Sequence, residues 1–418
     1  MIGVIADDVT GATDVAAALR RAGLRTLLVL GTDTAEASVA GPSIAESAAA
    51  ADGIVIGLKT RSLPADEAVA QSLAALAALR AQGADRIYVK YCSTFDSTAD
   101  GNIGPITEAV ADALGADLVV TTPAAPLHGR TVYRGHLFVG DVLLAETHMR
   151  DHPVTPMRDS SVPRLLTAQS ARPVGMLPLD VVQRGADAVR EAMDGARAAG
   201  ILQLIADAVT DADLDVIADA VEAEPLVAGS AGLVGALALR ETVAGEPAPA
   251  PPLGRTAIIA GSCSRRTLEQ IDSFQAAGLP AYRVAAEPDD SAEDLAARAL
   301  EWWDRQPSDA SALLYSSSPA SERRDDVPGA GELYERTAGL VAAALADRGV
   351  TRMLIAGGET SGEVIRSLGT TAAVVGEEVA PGAPWIHDEK RGVHLVLKSG
   401  NFGDEDLFVD VARQGSSS

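Results

Sequence analysis

The chain has 418 residues, 47% of them hydrophobic, which suits two or three domains with packed cores and excludes a disordered chain. Asp and Glu number 58 against 34 Lys and Arg, a net charge of −24, so the basic footprint of a nucleic-acid binder is missing and an anionic ligand would need local cations. No apolar stretch approaches the roughly 18 residues of a membrane span, and the start runs into Ile2–Ala6 with no basic leader. A cytoplasmic enzyme without a membrane partner is expected.

Short apolar runs at Ile2–Ala6, Thr26–Leu30, Gly53–Leu58, Ile87–Lys90 and Leu118–Thr121 predict strands. Thr13–Ala22, Ala65–Ala81 and Ile106–Leu114 predict helices between them. That alternation argues for a parallel sheet with covering helices. From Thr122 to Pro163 the pattern fails; five prolines and four of the six histidines fall there, and the stretch reads as long ordered loops. His148 and His152 are spaced i, i+4, but no glutamate completes a metal motif, so no protein metal site is expected. Helix or strand signals return at Val181–Ala199, Leu202–Ala206, Leu214–Ala223 and Leu226–Ala228.

Ala244–Leu253 alternates Pro and Ala and reads as an extended linker between a domain over 1–243 and a second over 254–415. Strand patterns resume at Thr256–Ala260, Ala281–Val284, Ala312–Ser316, Met353–Ala356, Ala372–Val375 and Val393–Lys398. The predicted fold class is α/β: two α/β domains with mainly parallel sheets and a ligand cleft between them. Cys92 and Cys263 lie far apart in sequence and are expected as reduced thiols.

Thirty of the 34 basic residues are Arg; the lysines are Lys59, Lys90, Lys390 and Lys398. Three of them, Lys59, Lys90 and Lys398, end apolar runs, where open α/β sheets place ligands. Asp7 and Asp8 follow the first strand directly, and adjacent carboxylates repel unless they meet a cation, hydroxyls or a proton. Gly11 and a helix start come next, with Thr10 or Thr13 as possible N-cap. Lys59-Thr60-Arg61-Ser62 suits a carboxylate or phosphate. Lys90 heads a run dense in short polar side chains, Ser93, Thr94, Asp96, Ser97 and Asn102, which can ligate a small polar molecule or simply cap and turn the chain. Three glycine-bearing loops follow later strands: Gly261-Ser262-Cys263-Ser264, Gly357-Gly358-Glu359-Thr360-Ser361-Gly362, and Lys398-Ser399-Gly400-Asn401-Phe402-Gly403. Such loops let backbone N–H groups approach phosphate, and three of them favour a nucleotide site. There is no Walker A sequence, no G-x-G-x-x-G and no protein-kinase signature.

The sequence resembles the four-carbon acid sugar kinases over essentially its whole length. The resemblance rests on Ile5-Ala6-Asp7-Asp8-Val9-Thr10-Gly11-Ala12 and Gly357–Gly362. Lys59–Ser62, Tyr91–Thr98, Gly129-Arg130-Thr131-Val132-Tyr133 and Leu397–Gly403 make it most similar to the 3-oxo-tetronate kinases within that family. The resemblance implies an N-terminal domain for the acid sugar, a C-terminal domain for ATP, and transfer of the γ-phosphate to a C4 hydroxyl. On that basis the substrate carboxylate is assigned to Arg61 and Lys59 with help from Lys90. The hydroxyl and keto oxygens are assigned to Asp7, Asp8, Ser93, Asp96 and Asn102, with Thr94 and Ser97 beside them. Asp8, or else Asp7, orients or deprotonates the hydroxyl. Ser262, Ser264 and Gly357 to Gly362 are assigned to the phosphates, and Gly400, Asn401 and Gly403 to the rest of the nucleotide pocket. ATP and Mg²⁺ are the implied cofactors, and a homodimer is left open. The alternatives are a threonate or erythronate kinase, a hydroxy-acid dehydrogenase, and a two-domain solute-binding protein.

Overall fold

The computed structural model describes residues 1–30, 48–152, 155–241, 250–319 and 329–415. The chain divides into two compact units, Met1–Glu246 and Pro247–Ser418. Of the expected linker, residues 244–249 lie outside the described residues, and 250–253 form neither strand nor helix.

In unit 1 the strands β1 (Ile2–Ala6), β2 (Thr26–Leu30), β3 (Gly53–Gly57), β4 (Arg86–Lys90) and β5 (Val119–Thr122) match the expected runs to within a residue. Between them lie α1 (Val9–Arg21), α2 (Ala65–Ala81) and α3 (Ile103–Leu114). β1, β2 and β3 are buried at every residue, as strands covered by helices on both faces must be, which is why they read as unbroken apolar runs. α1 starts earlier than expected. Its N-cap is Asp8, not Thr10 or Thr13, and the Asp8 carboxylate accepts the Gly11 N–H at 2.8 Å.

The stretch expected as loops contains a small antiparallel sheet instead: β6 (Arg130–Tyr133), β7 (His136–Val139) and β8 (Val142–Leu143). Its first turn is Arg134-Gly135, with φ of 48° and 70°, the left-handed pair that two-residue hairpins need. The buried Asp207 carboxylate accepts the N–H of both turn residues at 2.8 Å. Beyond it come α4 (Val162–Gln169) and β9 (Val174–Leu177), then α5 (Leu179–Val182) and α6 (Ala186–Ala198) where one helix was expected. The break falls at Gly185, whose φ of 102° cannot continue a helix. β10 (Gln203–Ala206), α7 (Asp211–Ala220), β11 (Leu226–Gly229) and α8 (Ala231–Ala238) complete the unit. The strand order is β2-β3-β1-β4-β11-β5-β10-β9, with every described pairing parallel.

Unit 2 contains β12 (Thr256–Ala260), α9 (Arg265–Ala276), β13 (Ala281–Arg283), α10 (Ala292–Asp304), β14 (Ala312–Tyr315) and α11 (Ala330–Asp347). β15 (Arg352–Ala356), α12 (Gly358–Leu368), β16 (Ala372–Ala380), β17 (Ala383–Asp388), β18 (Val393–Lys398) and α13 (Leu407–Gln414) follow. Its strand order is β13-β14-β12-β15-β18-β17-β16, parallel as far as β18 and antiparallel beyond it. β17 was not expected, because Pro381, Gly382 and Pro384 mark a turn and hide the strand behind it. Phe274, Leu354, Trp385 and Phe408 are buried in the core of this unit.

In each sheet one pair of neighbouring parallel strands sends its connections to opposite sides. In unit 1 that pair is β1 and β4; in unit 2 it is β12 and β15. The crevice beyond the carboxyl ends of such a pair is where open α/β sheets bind ligands. Among the described residues no helix is long and apolar enough to cross a membrane.

Candidate functional site

In unit 1 the crevice is built by the ends of β1, β3 and β4. The Asp7 N–H donates to the Lys90 carbonyl at 3.1 Å, and the Asp7 carbonyl accepts the N–H groups of Thr60 and Arg61 at 3.0 and 3.2 Å. This backbone lacing sets three side chains around one guanidinium. Arg61 Nε donates to Asp7 Oδ2 at 2.8 Å, and its Nη2 donates to Asp7 Oδ1 at 3.0 Å and Asp8 Oδ1 at 2.7 Å. Its Nη1 lies 3.7 Å from Asp96 Oδ2. Asp96 is delivered by Phe95, a fully buried residue at φ 63° packed edge-on against Tyr91. That left-handed conformation costs a non-glycine residue about 1–2 kcal/mol, and strain of this kind gathers at functional sites.

The electrostatics follow from the contacts. Burial pushes the Asp8 carboxyl upward, but Arg61, Lys90, the Thr10 hydroxyl and the Gly11 N–H outweigh it and hold Asp8 below the ordinary value. Burial pulls Arg61 downward, but Asp7 and Asp8 overcome it and keep the guanidinium charged. Burial pushes the Cys92 thiol up to about 12, so it is an unreactive neutral group at pH 7. Both cysteines are free.

Lys90 is 3% exposed, and its ammonium has no hydrogen-bonding partner among the described residues. It occupies the space over Gly11: a Cβ there would lie 2.9 Å from Lys90 Nζ and 2.3 Å from Asp8 Oδ1. Lys59 is half-buried and likewise has no partner among the described residues. Three carboxylates, Arg61 and these two lysines leave the crevice close to neutral on a strongly acidic chain. Lys90 stands close to Asp8, which it helps to keep charged, and its hydrogen-bonding capacity is unspent among the described residues, so it can also meet an anion.

Several expected contacts belong to the frame of this crevice. Arg61 already commits its guanidinium to Asp7 and Asp8, which leaves Lys90 and Lys59 as the cations with hydrogen-bonding capacity to spare. Asn102 donates to the Thr60 and Leu63 carbonyls at 2.8 and 3.0 Å, so its NH₂ fastens two loops. Ser97 is buried against Gln169 of α4. Thr94 is buried and bridges Asp96 and Cys92. Ser93 is half-buried and makes no hydrogen bond among the described residues.

In unit 2 the crevice opens into a cavity of about 660 Å³, within the range of small-molecule sites. Gly261, Ser262, Gly357, Gly358, Glu359 and Thr360 line it, all from the expected loops. The N–H groups of Gly261 and Ser262 both donate to the Ala356 carbonyl, at 2.9 and 3.0 Å, which binds the two loops together. Gly357 has φ 129°, and a Cβ there would sit 3.1 Å from the Ser262 nitrogen. Only glycine lets the chain enter α12 at this point, with the open N–H groups of the helix start facing the cavity.

The remaining predicted residues support this wall without lining the cavity. Ser264 caps α9 and donates to the Gly400 carbonyl at 2.6 Å. Ser361 and Gly362 are buried within α12. Gly400 packs on Ser262 and Ser264, Gly403 packs on Leu407 and Gln270, and Asn401 is exposed. Arg283, Val284, Ala285, Ser316 and Tyr334 also line the cavity, and none was anticipated. They follow the ends of β13 and β14 or face them from α11, so the strand-end rule that singled out the lysines could have found most of them. Among the described residues no three or more His, Cys, Asp or Glu side chains are arranged to hold a metal.

A family model described as a sugar-binding N-terminal domain matches residues 2–237, and one described as a nucleotide-binding C-terminal domain matches 257–408. The chain belongs to the four-carbon acid sugar kinase family. Relatives of this kinase named 3-oxo-tetronate kinase include one from Cupriavidus necator, 43% identical over 99% of this chain and 97% of its own. Another, from Salmonella typhimurium, is 40% identical over 99% of both chains. Solved structures from Salmonella typhimurium (TM-score 0.87, 40% identity) and Haemophilus influenzae (TM-score 0.77, 38% identity) align over 99% of both chains. The kinase is thus a phosphotransferase with an alcohol acceptor. The dehydrogenase and solute-binding alternatives fall away.

Proposed function

We propose that this kinase moves the γ-phosphate of ATP to the C4 hydroxyl of a 3-oxo-tetronate, giving the 4-phosphate. The observation that carries the reading in the structure is the Lys90 ammonium, which makes no hydrogen bond among the described residues and stands beside Asp8, a local setting for a small hydroxylated anion. The full-length relatives named 3-oxo-tetronate kinase support the choice of acid.

In this reading Lys90 and Lys59 take the substrate carboxylate through charge-assisted hydrogen bonds. Asp7, Asp8 and Asp96, fixed by Arg61, accept from its hydroxyls. Asp8 is a weak base, held low by Arg61 and Lys90, so its main work is to orient the C4 hydroxyl. That suffices for a loose phosphoryl transition state, where positioning and charge neutralisation dominate. ATP binds in the unit 2 cavity, its phosphates at the start of α12 beside the Ser262 hydroxyl, its base toward Val284, Ala285 and Tyr334. Glu359, exposed in the cavity wall, would help to hold Mg²⁺, and the ion would supply charge neutralisation at the transferring group.

The test is ADP release from ATP and Mg²⁺ across a panel of tetronates and their 3-oxo forms. Turnover with a 3-oxo acid, and far less with threonate or erythronate, is the expected outcome. Turnover only with the reduced acids would keep the kinase and overturn the substrate.

A further inference from the structure

One lysine singled out by its place at a strand end has no part in the reading above. Lys398 ends β18 and is fully buried, with no exposed side-chain surface. Its ammonium meets no carboxylate. It donates to the Gly400 carbonyl at 2.9 Å, to the Ser399 carbonyl at 3.0 Å and to the Thr267 hydroxyl at 3.2 Å, and it lies 5.9 Å from the centre of the Phe408 ring. All three protons of an ammonium are spent on neutral acceptors.

Those acceptors connect it to both walls of the cavity. The Gly400 carbonyl also receives the Ser264 hydroxyl at 2.6 Å and the Thr267 hydroxyl at 2.9 Å. Gly400 is pressed so close to the first glycine loop that a Cβ on it would lie 2.4 Å from Ser262 Oγ. On the other side, the Lys398 carbonyl accepts the Gly357 N–H at 2.9 Å, at the entrance to α12. A single residue therefore fixes the turn behind Ser262 with its side chain and the start of α12 with its backbone.

We infer that Lys398 is a positioning residue for the nucleotide phosphates, acting through Gly400 on Ser262 and through Gly357 on α12. The inference rests on the nucleotide reading of this cavity. An uncharged hydrogen-bonding or apolar residue would satisfy the same core more cheaply, since a buried ammonium carries a large desolvation cost. The charge has a use where polyphosphate binds. It polarises the Gly400 turn, and it places positive potential below a site on a chain of net charge −24. Burial, and Arg266 nearby, pull the ammonium down to about 7. Above that pH the free enzyme loses one donor and the charge together, whereas bound phosphate holds the proton on.

The experiment is the KM for ATP and the pH profile of wild type, Lys398→Met and Lys398→Gln, with saturating Mg²⁺ and the sugar acid varied separately. In wild type, kcat/KM for ATP should decline above about pH 7 while kcat holds to higher pH. In Lys398→Met the KM for ATP should rise about tenfold or more, the alkaline limb should vanish, and the KM for the acid should stay within about twofold. Lys398→Gln, which keeps a donor without the charge, should fall between. A folded Met variant with wild-type KM for ATP, or a wild-type profile flat from about pH 6 to 8.5, would overturn the inference. Where the Met variant fails to fold, the Gln variant decides: a wild-type KM for ATP there also overturns the inference. A wild type that neither binds nor spends ATP would instead overturn the nucleotide reading, and this inference with it.

Discussion

The antiparallel neighbours His387 and His394 stack ring on ring in unit 2, with centroids 4.1 Å apart and planes within 7°. His387 Nδ1 and both ring nitrogens of His394 have no hydrogen-bond partner among the described residues. Arg352 is the register neighbour of His394 on the other side and is itself buried, over the Trp385 ring. Burial first, then His387 and Arg352, drive the His394 pKa from 6.5 down to about 4. The sign follows directly. The folded state resists a proton that the unfolded chain accepts, so the stability is complete above about pH 6.5 and is lost as pH falls toward 4. One pKa unit corresponds to about 1.4 kcal/mol, so the full loss is about 3 kcal/mol, of which about 2 kcal/mol falls between pH 7 and 5. The window is useful because paired carboxylates contribute mainly below it. All three tryptophans, Trp302, Trp303 and Trp385, belong to unit 2, so Trp fluorescence during urea unfolding of the full chain reports this unit. Wild type should lose about 2 kcal/mol more than His394→Leu on going from pH 7 to 5. A proton NMR titration should show one histidine titrating near 4. If the two proteins lose the same stability to within about 0.5 kcal/mol, the stacked pair does not store this energy and the reasoning is wrong.

Other outcomes bear on the site. Lys90→Met should raise the KM for the acid about a hundredfold, the worth of a charge-assisted contact, and leave the KM for ATP unchanged; equal effects on both would place Lys90 elsewhere in the reaction. Asp8→Asn keeps an equally good N-cap for α1 but removes a carboxylate paired with Arg61, so melting should fall while the fold persists, and kcat should fall by about a hundredfold or more. Wild-type turnover in that variant would reduce Asp8 to a cap. Gly357→Ala forces a side chain toward the Ser262 nitrogen at a φ that alanine avoids. It should weaken ATP binding at least tenfold and spare acid binding; isothermal titration with each ligand separates the two.

The sequence alone determined the β/α alternation, because strands buried on both faces must be written as unbroken apolar runs. β1, β2, β12 and β18 follow their runs end to end. It also marked the candidate site residues at strand ends, since Asp7, Arg61, Lys90, Ser262 and Gly357 each follow or close such a run. The hairpin β6–β7 and the strand β17 were hidden because the residues around their turns imitate loops: Gly129, Gly135 and Gly140 at the hairpin, and Pro381, Gly382 and Pro384 at β17. Roles within the site were decided only by tertiary structure. Asp8 proved to be the cap of α1, Arg61 a strut among carboxylates, and Asn102, Ser97 and Ser264 fasteners of loops. Whether a polar side chain faces a ligand or a backbone carbonyl depends on what the fold brings within about 3 Å of it. Residue type and spacing are the same in both cases, and only long-range packing separates them.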